Sequence, residues 1–246
     1  MERSCSDALS EFVECVWTLS ESGGEPTWVL PDGCVDLLFE RASNHEGARA
    51  IRIVGTMRRV RSVHRPHPHE LLGVRFRPGG ARALLGVDVA RLVDVCVPWS
   101  EVSGPLESVD AVVREPSLTA AGEGIVHALQ DKLQEVRPGD RLAARAAAAV
   151  VEAPEEKVCA LAERVGVTRQ HLRRLVVSAA GVAPKQLARI VRFRRVTERL
   201  RNNERPSASL ALDCGYFDQA HMAREFRAFT GTTATDYARF HLSKTG

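Results

Sequence analysis

The fold is decided by two stretches of the chain, LAERVGVTRQHLRRLV (residues 161–176) and LALDCGYFDQAHMAREF (residues 210–226). When they are aligned with one extra residue after the glycine, five pairs coincide: Leu161/Leu210, Ala162/Ala211, Gly166/Gly215, His171/His221 and Arg174/Arg224. The constant offset of 49 to 50 residues indicates two copies of one structural unit.

Each copy has the residue pattern of a helix-turn-helix. A small residue four positions before a glycine lets two helices approach, and the glycine supports a left-handed turn. An apolar residue six or seven positions later holds the second helix against the first. These roles fall on Ala162, Gly166 and Leu172 in the first copy and on Ala211, Gly215 and Met222 in the second. We therefore predict two helix-turn-helix units, at about residues 155–181 and 207–231.

The second helix of each unit is predicted to be amphipathic, with N-caps at Thr168 and Asp218. The inward faces should carry Leu172, Leu175, Val176 and Ala179 in the first helix, and Met222, Ala223, Phe226 and Phe229 in the second. The outward faces should carry Gln170, Arg173 and Arg174, and then Ala220, His221, Arg224 and Arg227. Arginine and glutamine suit guanine and adenine in the major groove. A solvated face is the alternative for any single helix.

A basic segment joins the two units, PKQLARIVRFRRVTERLRNN at residues 184–203. As one helix of 20 residues it would be about 30 Å long, close to the roughly 34 Å between successive major-groove faces. A rod between two groove-inserted helices crosses the DNA backbone, so its arginines favour phosphates over bases. We predict phosphate contacts for Arg169, Arg189, Arg192, Arg195 and Arg227.

Charge is distributed unequally along the 246 residues. Residues 140–246 contain 19 Lys and Arg against 11 Asp and Glu, a net charge of +8, whereas residues 1–139 have a net charge of −5. This asymmetry is typical of a module for a polyanion joined to a module of another kind. The composition is that of a globular protein, and no apolar run approaches the roughly 18 residues of a membrane span. We expect a cytoplasmic protein with no membrane partner.

The first half is predicted to be an α+β domain, residues 1–137, with a β-rich core that is cupin-like or a small mixed sheet with helices. Short apolar runs predict strands at residues 27–30, 34–39, 51–54 and 71–76. A helix is expected after Gly80, and another at about residues 119–136, whose apolar stripe is either core or a dimer seam. The second domain, residues 138–246, is predicted to be all-α, with Asp140 capping its first helix.

Three residues of the first half are weak candidates for an effector site: Arg75, Arg77 and Cys34. The two arginines, with the amides of a Gly-Gly pair at a helix start, could hold an anion, although an ordinary strand-to-helix turn explains them as well. Cys34 could sense redox state or alkylation, but a buried structural thiol is the commoner case.

A metal site is not predicted. His64, His67 and His69 stand next to Glu70, which is too close to them for cupin-type spacing. The six cysteines include no CxxC pair, so zinc-finger spacing is lacking, and Cys159 and Cys214 are expected to be packing residues. We predict no cofactor.

The second half resembles the DNA-binding domain of the AraC/XylS family of bacterial transcription regulators. The resemblance covers about residues 138–246. It is strongest in DCGYFDQAHMAREFRAFTG (residues 213–231) and is supported by VGVTRQHLRRL (residues 165–175) and by the Arg-Phe pair at residues 192–193. It implies that base contacts are made by Gln170, Arg173 and Arg174 in the first unit and by Gln219, His221 and Arg224 in the second. The chain departs from the family pattern at Val176, Ala220 and Ala234.

The strings LPDGCVDLLF (residues 30–39) and LLGVRFRPGGARALLG (residues 71–86) resemble the N-terminal domain of an AraC-like subgroup. By analogy this domain would bind a small effector and form a homodimer. The expected function is therefore a transcription regulator that binds double-stranded DNA, contacts RNA polymerase if it is an activator, and is not an enzyme. The alternatives are an Ada-like DNA repair methyltransferase and a cupin-like metalloprotein fused to a DNA-binding module.

Overall fold

A computed structural model gives the structure of the chain and describes residues 2–3, 8–24, 26–42, 49–65, 67–102 and 117–242. It confirms the predicted fold class. A β-rich N-terminal part is followed by a helical C-terminal part that contains the two helix-turn-helix units and the long helix between them.

The N-terminal part is built on antiparallel strands. The strands are β1 (Glu2–Arg3), β2 (Val13–Glu21), β3 (Thr27–Val29), β4 (Val35–Ala42), β5 (Arg49–Val54), β6 (Arg61–Val63), β7 (His69–Phe76) and β8 (Cys96–Pro98). Six of them form one sheet in the order β1-β2-β7-β4-β5-β8, and β3 pairs with β6 in a separate ribbon. The four predicted strands are confirmed as β3, β4, β5 and β7.

Strand β7 lies inside the sheet between β2 and β4, and its apolar residues are buried on both faces. Gly73 is required here because Trp17 of β2 packs over it. A Cβ at this position would lie 2.1 Å from the Trp17 ring. Strand β2, which is bulged between Val13 and Cys15, is not among the predicted strands.

Helices cover the sheet. They are α1 (Gly80–Leu85), α2 (Trp99–Val102) and α3 (Leu118–Lys132), with 3-10 turns at Val89–Leu92 and Leu133–Glu135. Ile125 and Leu129 of α3 are fully buried in the N-terminal core, together with Leu133 and Val136. The apolar stripe predicted at residues 119–136 is therefore core, which is the first of its two interpretations.

The C-terminal part has seven described helices around one apolar core. They are α4 (Pro138–Glu152), α5 (Val158–Val165), α6 (Arg169–Ala180), α7 (Pro184–Arg201), α8 (Ala208–Asp213), α9 (Gln219–Thr230) and α10 (Ala234–Leu242). The buried face of α4 consists largely of alanines, including Ala143, Ala146 and Ala147, which allow neighbouring helices to approach closely.

The prediction that Asp140 caps α4 is wrong. The helix begins at Pro138, which needs no hydrogen-bond acceptor at a helix start, and Arg137 occupies the cap position. Asp140 lies in the first turn, where it is buried and accepts hydrogen bonds from Nε of Arg82 and of Arg137, each at 2.8 Å. Because Arg82 belongs to α1, this carboxylate joins the two parts of the chain.

Further contacts hold the two parts together. The Gly79 N–H donates to the carbonyl of Ala179 on α6 at 2.9 Å. Arg194 of α7 forms an ion pair with Glu14 of β2, with 2.5 Å between Nη2 and Oε1. The helical part is therefore packed directly against the β-rich part, on the side of α6 and α7.

Candidate nucleic-acid interface

The first helix-turn-helix unit consists of α5, a turn at Gly166 and α6. Helix α5 ends at Val165 because Gly166 takes the left-handed conformation, with φ of 78°. The N–H of Val167 then donates to the carbonyl of Ala162 at 2.9 Å. The side chain of Thr168 caps α6 by accepting a hydrogen bond from the His171 N–H at 3.2 Å, as predicted.

The second unit, α8 and α9, has the same construction. Gly215 has φ of 84°, and the Tyr216 N–H donates to the carbonyl of Ala211 at 2.9 Å. Asp218 caps α9 by accepting from the His221 N–H at 2.5 Å, also as predicted. Both α6 and α9 contain 12 residues and end at a left-handed glycine. The repeat read from the sequence is therefore a repeat of structure.

Helix α6 separates its polar and apolar residues as expected. Leu172, Val176 and Ala179 are buried against the core and Leu175 is half-buried. The predicted base-contacting residues Gln170, Arg173 and Arg174 are all exposed, and so is the predicted phosphate contact Arg169. The structure thus brings the four side chains to the accessible surface of one helix.

Helix α9 follows the same arrangement except at Ala223 and at His221. Met222, Phe226 and Phe229 are buried, whereas Gln219, Ala220, Arg224 and Arg227 are exposed. Ala223 is exposed, so its predicted inward position is wrong; at about 100° per residue it lies at the edge of the apolar stripe formed by Met222, Phe226 and Phe229.

His221 is only half-exposed. Its ring meets the edge of the Tyr216 ring, with 5.3 Å between centroids, and its Nε2 lies 3.6 Å from Glu225. The Phe217 N–H lies 3.5 Å from Nδ1. These contacts fix the imidazole on the flank of α9, next to the exposed face that carries Arg224.

Glu225 is the residue that holds α9 to the long helix α7. Its carboxylate accepts hydrogen bonds from Arg189 at 2.8 Å and from Arg192 at 3.1 Å. Arg192 also donates to the carbonyl of Pro154 at 2.9 Å, and its guanidinium stacks on Tyr216. Because the Arg192 side chain is only 11% exposed, it joins the second unit to the segment that precedes α5 from the inside.

Arg195 is also engaged within the protein. It donates to the carbonyls of Val151 and Glu152, at 3.0 and 2.9 Å, at the C-terminal end of α4. A cation at this place satisfies carbonyls that the helix leaves unpaired. Three of the five arginines predicted to contact phosphate, Arg189, Arg192 and Arg195, thus have internal acceptors, while Arg169 and Arg227 are exposed.

Helix α7 packs against α9 through a cluster of aromatic rings. It contains 18 residues, about 27 Å, and begins at Pro184. Phe193 is fully buried at its centre and stacks on Phe229, with 4.6 Å between ring centroids, and also meets Phe226 at 5.2 Å. This aromatic cluster seats α9 on α7, and therefore sets where the second unit lies relative to the first.

Two of the three weak effector candidates, Arg77 and Cys34, lie at the junction of the two parts, whereas the ion-pair partners of Arg75 belong to the N-terminal part. Arg75 is paired with Asp36 and Asp32, at 3.1 and 3.4 Å, so its charge is already compensated. Arg77 and Cys34 line a cavity of about 470 Å³, which Glu14 and Arg194 also line. Burial, together with the charges of the neighbouring carboxylates, raises the pKa of Cys34 well above its ordinary value.

The histidines do not form a metal site in the part of the chain that the structure describes. His69 is buried on β7, with Nδ1 3.1 Å from the carbonyl of His67 and Nε2 3.3 Å from Glu21. His64 and His67 are exposed. No group of three or more metal-ligating side chains occurs among the described residues. Cys214 is buried, as predicted, but Cys159 is exposed, because it lies on the outer side of α5.

Comparison with known proteins agrees with this geometry. A family described as a helix-turn-helix domain matches residues 161–239, and a family described as a domain of unknown function (DUF6597) matches residues 2–98. A search of curated proteins finds no match.

A search of solved structures finds several matches. ToxT from Vibrio cholerae O395 covers 93% of this chain and 97% of its own, at 8% identity and a TM-score of 0.47. ToxT from V. cholerae strain SCE256 with bound unsaturated fatty acid covers 96% of each chain, at 10% identity and a TM-score of 0.46. The C-terminal domain of AraT, a response regulator from Geobacillus stearothermophilus, covers 40% of this chain and 84% of its own, at 22% identity and a TM-score of 0.38.

None of the described helices is both long and apolar enough to cross a membrane. The matched residues 161–239 include α6, α8 and α9, and all of α5 except its first three residues. The chain therefore carries a helix-turn-helix domain at residues 161–239, after an N-terminal domain whose family has no assigned function.

Proposed function

We propose that this protein is a sequence-specific DNA-binding transcription regulator of the AraC type. The observation that carries the proposal is the equivalence of α6 and α9, which have the same length, the same pattern of capping hydrogen bonds and the same turn hydrogen bonds. Helix α7, at about 27 Å, is slightly shorter than the roughly 34 Å of one DNA turn. A bend in the DNA would accommodate this difference.

The roles of the side chains follow from their exposure. Base contacts come from Gln170, Arg173 and Arg174 on α6 and from Gln219, His221 and Arg224 on α9. Phosphate contacts come from Arg169 and Arg227, which are exposed on the same two helices. We assign Arg189, Arg192 and Arg195 to the internal support of the domain, since each already donates to an acceptor of the protein.

The test begins with selection of DNA fragments from a genomic library by the purified full-length protein. A selected duplex and a scrambled duplex of the same composition are then compared by fluorescence anisotropy over a series of salt concentrations. We expect preference for the selected duplex and a log–log salt slope of several units, because several phosphate contacts release counterions. A failure to select any sequence, or an affinity indifferent to salt, would contradict the proposal.

Two variants distinguish the recognition of bases from a general electrostatic attraction to DNA. Arg174→Ala should reduce the preference for the selected duplex by about 1–3 kcal/mol. Arg239→Ala is the matched control, because Arg239 is an exposed arginine of the same domain that lies on α10, outside both recognition helices. If the two variants lose the same preference, Arg174 is not a base reader.

The proposal includes control by a small effector. The cavity of about 470 Å³ between the two parts, with Arg77 and Cys34 in its lining, is the place where a ligand would contact both. Its walls carry charges of both signs, which suits a polar ligand. Homodimerisation, and contact with RNA polymerase if the protein is an activator, belong to the same proposal, and sedimentation of the protein with and without its selected duplex tests the first of these.

A further inference from the structure

A cluster of arginines in the N-terminal part has no role in the function proposed so far. The sequence MRRVR, residues 57–61, places three arginines within four positions, although residues 1–139 have a net charge of −5. This segment, called here the arginine loop, connects β5 to β6.

The arginine loop is fixed against the second recognition helix. The N–H of Val60 donates to the carbonyl of Phe229 near the end of α9 at 3.2 Å. The Val60 side chain packs on the core of the helical part, and Met57 is buried at the other end of the segment. The loop therefore has a defined position beside α9.

Among the described residues, one carboxylate pairs with the arginines of the loop, that of Asp94, and its partner is Arg58. Asp94 accepts hydrogen bonds from the backbone N–H of Arg58 at 2.7 Å and from its Nε at 2.6 Å, while Arg61 donates to the Asp94 carbonyl. Burial acts to raise the pKa of Asp94, but the hydrogen bonds from Arg58 lower it. Arg59 is exposed and, among the described residues, no carboxylate pairs with it. The loop thus keeps a surplus of positive charge.

The arginines open onto a cleft of about 580 Å³ between the two parts. Its charged lining consists of Arg58, Arg59, Arg61, Arg189 and Asp94. Arg189 is neutralised by Glu225, and Asp94 compensates one further arginine, so two positive charges remain. A cleft with this balance attracts an anion.

The cleft borders the proposed DNA-reading face. Ala228 of α9 lines the cleft and is exposed, and it lies one helical turn after Arg224. Residues four positions apart occupy the same side of a helix. A helix in the major groove has a sugar-phosphate backbone along each flank, so a wall of arginines on this flank would meet phosphates.

We propose that the arginine loop is a phosphate-binding element through which the N-terminal domain binds the DNA backbone next to α9. This inference rests on the proposed DNA binding and extends the interface to the N-terminal domain, whose described residues include no helix-turn-helix. The contact adds affinity without adding sequence preference, since phosphates carry no base identity.

The test compares Arg59→Gln with Arg52→Gln in the full-length protein, by fluorescence anisotropy on the selected and the scrambled duplex. Arg52 is the matched control because it is an exposed arginine of the same domain, on β5, and it does not line the cleft. We expect Arg59→Gln to weaken binding severalfold on both duplexes alike and to reduce the log–log salt slope by about 1. Arg52→Gln should leave both quantities unchanged.

The outcomes separate this inference from the function on which it rests. If the wild-type protein binds DNA with the expected salt dependence and Arg59→Gln leaves the slope unchanged, the arginine loop is not a DNA contact, while the proposed function stands. If the wild-type protein does not bind DNA, both proposals fail. Titration with inorganic phosphate alone completes the test: phosphate binding that requires Arg59, with an unchanged DNA slope, would identify a site for a free anion and overturn the DNA contact.

Discussion

Replacement of Glu225 by glutamine tests how the second recognition helix is held. The Glu225 carboxylate is 12% exposed and joins α9 to α7 through Arg189 and Arg192. Glutamine keeps the size of the side chain and one acceptor oxygen, but it removes the charge. The guanidinium of Arg192, which is 11% exposed, then loses its charged partner and keeps the Pro154 carbonyl, the Tyr216 ring and the amide oxygen of the new side chain.

The expected loss is about 2–3 kcal/mol of unfolding free energy. Removal of one partner of a fully buried ion pair costs about 3–5 kcal/mol. The remaining acceptor and the amide oxygen of the new side chain reduce this value here, and Arg189 can turn to solvent because it is 37% exposed. Urea unfolding of the full-length protein, followed by circular dichroism, measures the change.

Two further variants test whether the buried pair of Glu225 and Arg192 stabilises the domain. Glu198→Gln removes an exposed partner of Arg194 on the same helix α7, and should cost at most about 1 kcal/mol. The double variant Glu225→Gln/Arg192→Met removes both charges, so it should be less destabilised than the sum of the two single variants. Equal losses for Glu225→Gln and Glu198→Gln, or strictly additive losses in the double variant, would show that the buried pair does not hold the unit.

Other predictions concern the recognition of DNA sequence, the dependence of stability on pH, and the reactivity of cysteines. Arg174→Ala and Arg224→Ala should relax sequence preference in different halves of the selected site, which a specificity profile of each variant shows; relaxation in the same half would contradict the two-unit arrangement. Burial raises the pKa of Asp36 from its ordinary value of 3.8 to about 6, against the attraction of its arginine partner. Between these two pKa values the folded state binds one more proton than the unfolded state. The contribution of Asp36 to stability should therefore fall as pH rises from about 4 to about 6. An NMR titration that places the pKa of Asp36 near 3.8 would refute this prediction. Cys34 should resist alkylation in the native protein while exposed Cys96 reacts, as peptide mapping after a brief exposure to iodoacetamide measures; equal labelling would contradict the burial of Cys34.

The sequence was sufficient for the features that depend on local periodicity. The caps Thr168 and Asp218, the left-handed turn at Gly166 and the buried stripe of α6 all follow from residue types at fixed spacing. Strand β2 could not be found in this way, because a bulge after Val13 shifts its alternation. Only the partner strand explains its place in the sheet.

In the candidate site too, local spacing predicts some features, and tertiary contacts decide the others. Helical rotation alone puts Arg174 and Arg224 on exposed faces, and both are exposed in the structure. The same rule could not distinguish the arginines of α7, because their partners are distant in sequence: Glu225 is 33 residues from Arg192, and Glu14 is 180 residues from Arg194. Whether an arginine is free for phosphate is decided by a tertiary contact, which a single sequence does not show.

The arginines of α7 also explain how the two parts of the chain can influence each other. Arg192 and Arg194 are two residues apart, which corresponds to about 200° around the helix, so they point to opposite sides. Arg192 reaches Glu225 on the second recognition helix, whereas Arg194 reaches Glu14 in the wall of the interdomain cavity. The same helix therefore supports α9 on one side and closes the cavity on the other. Under the proposed function, a ligand that separates Glu14 from Arg194 acts on the support of α9, and so on the spacing of the two recognition helices rather than on their base-reading side chains.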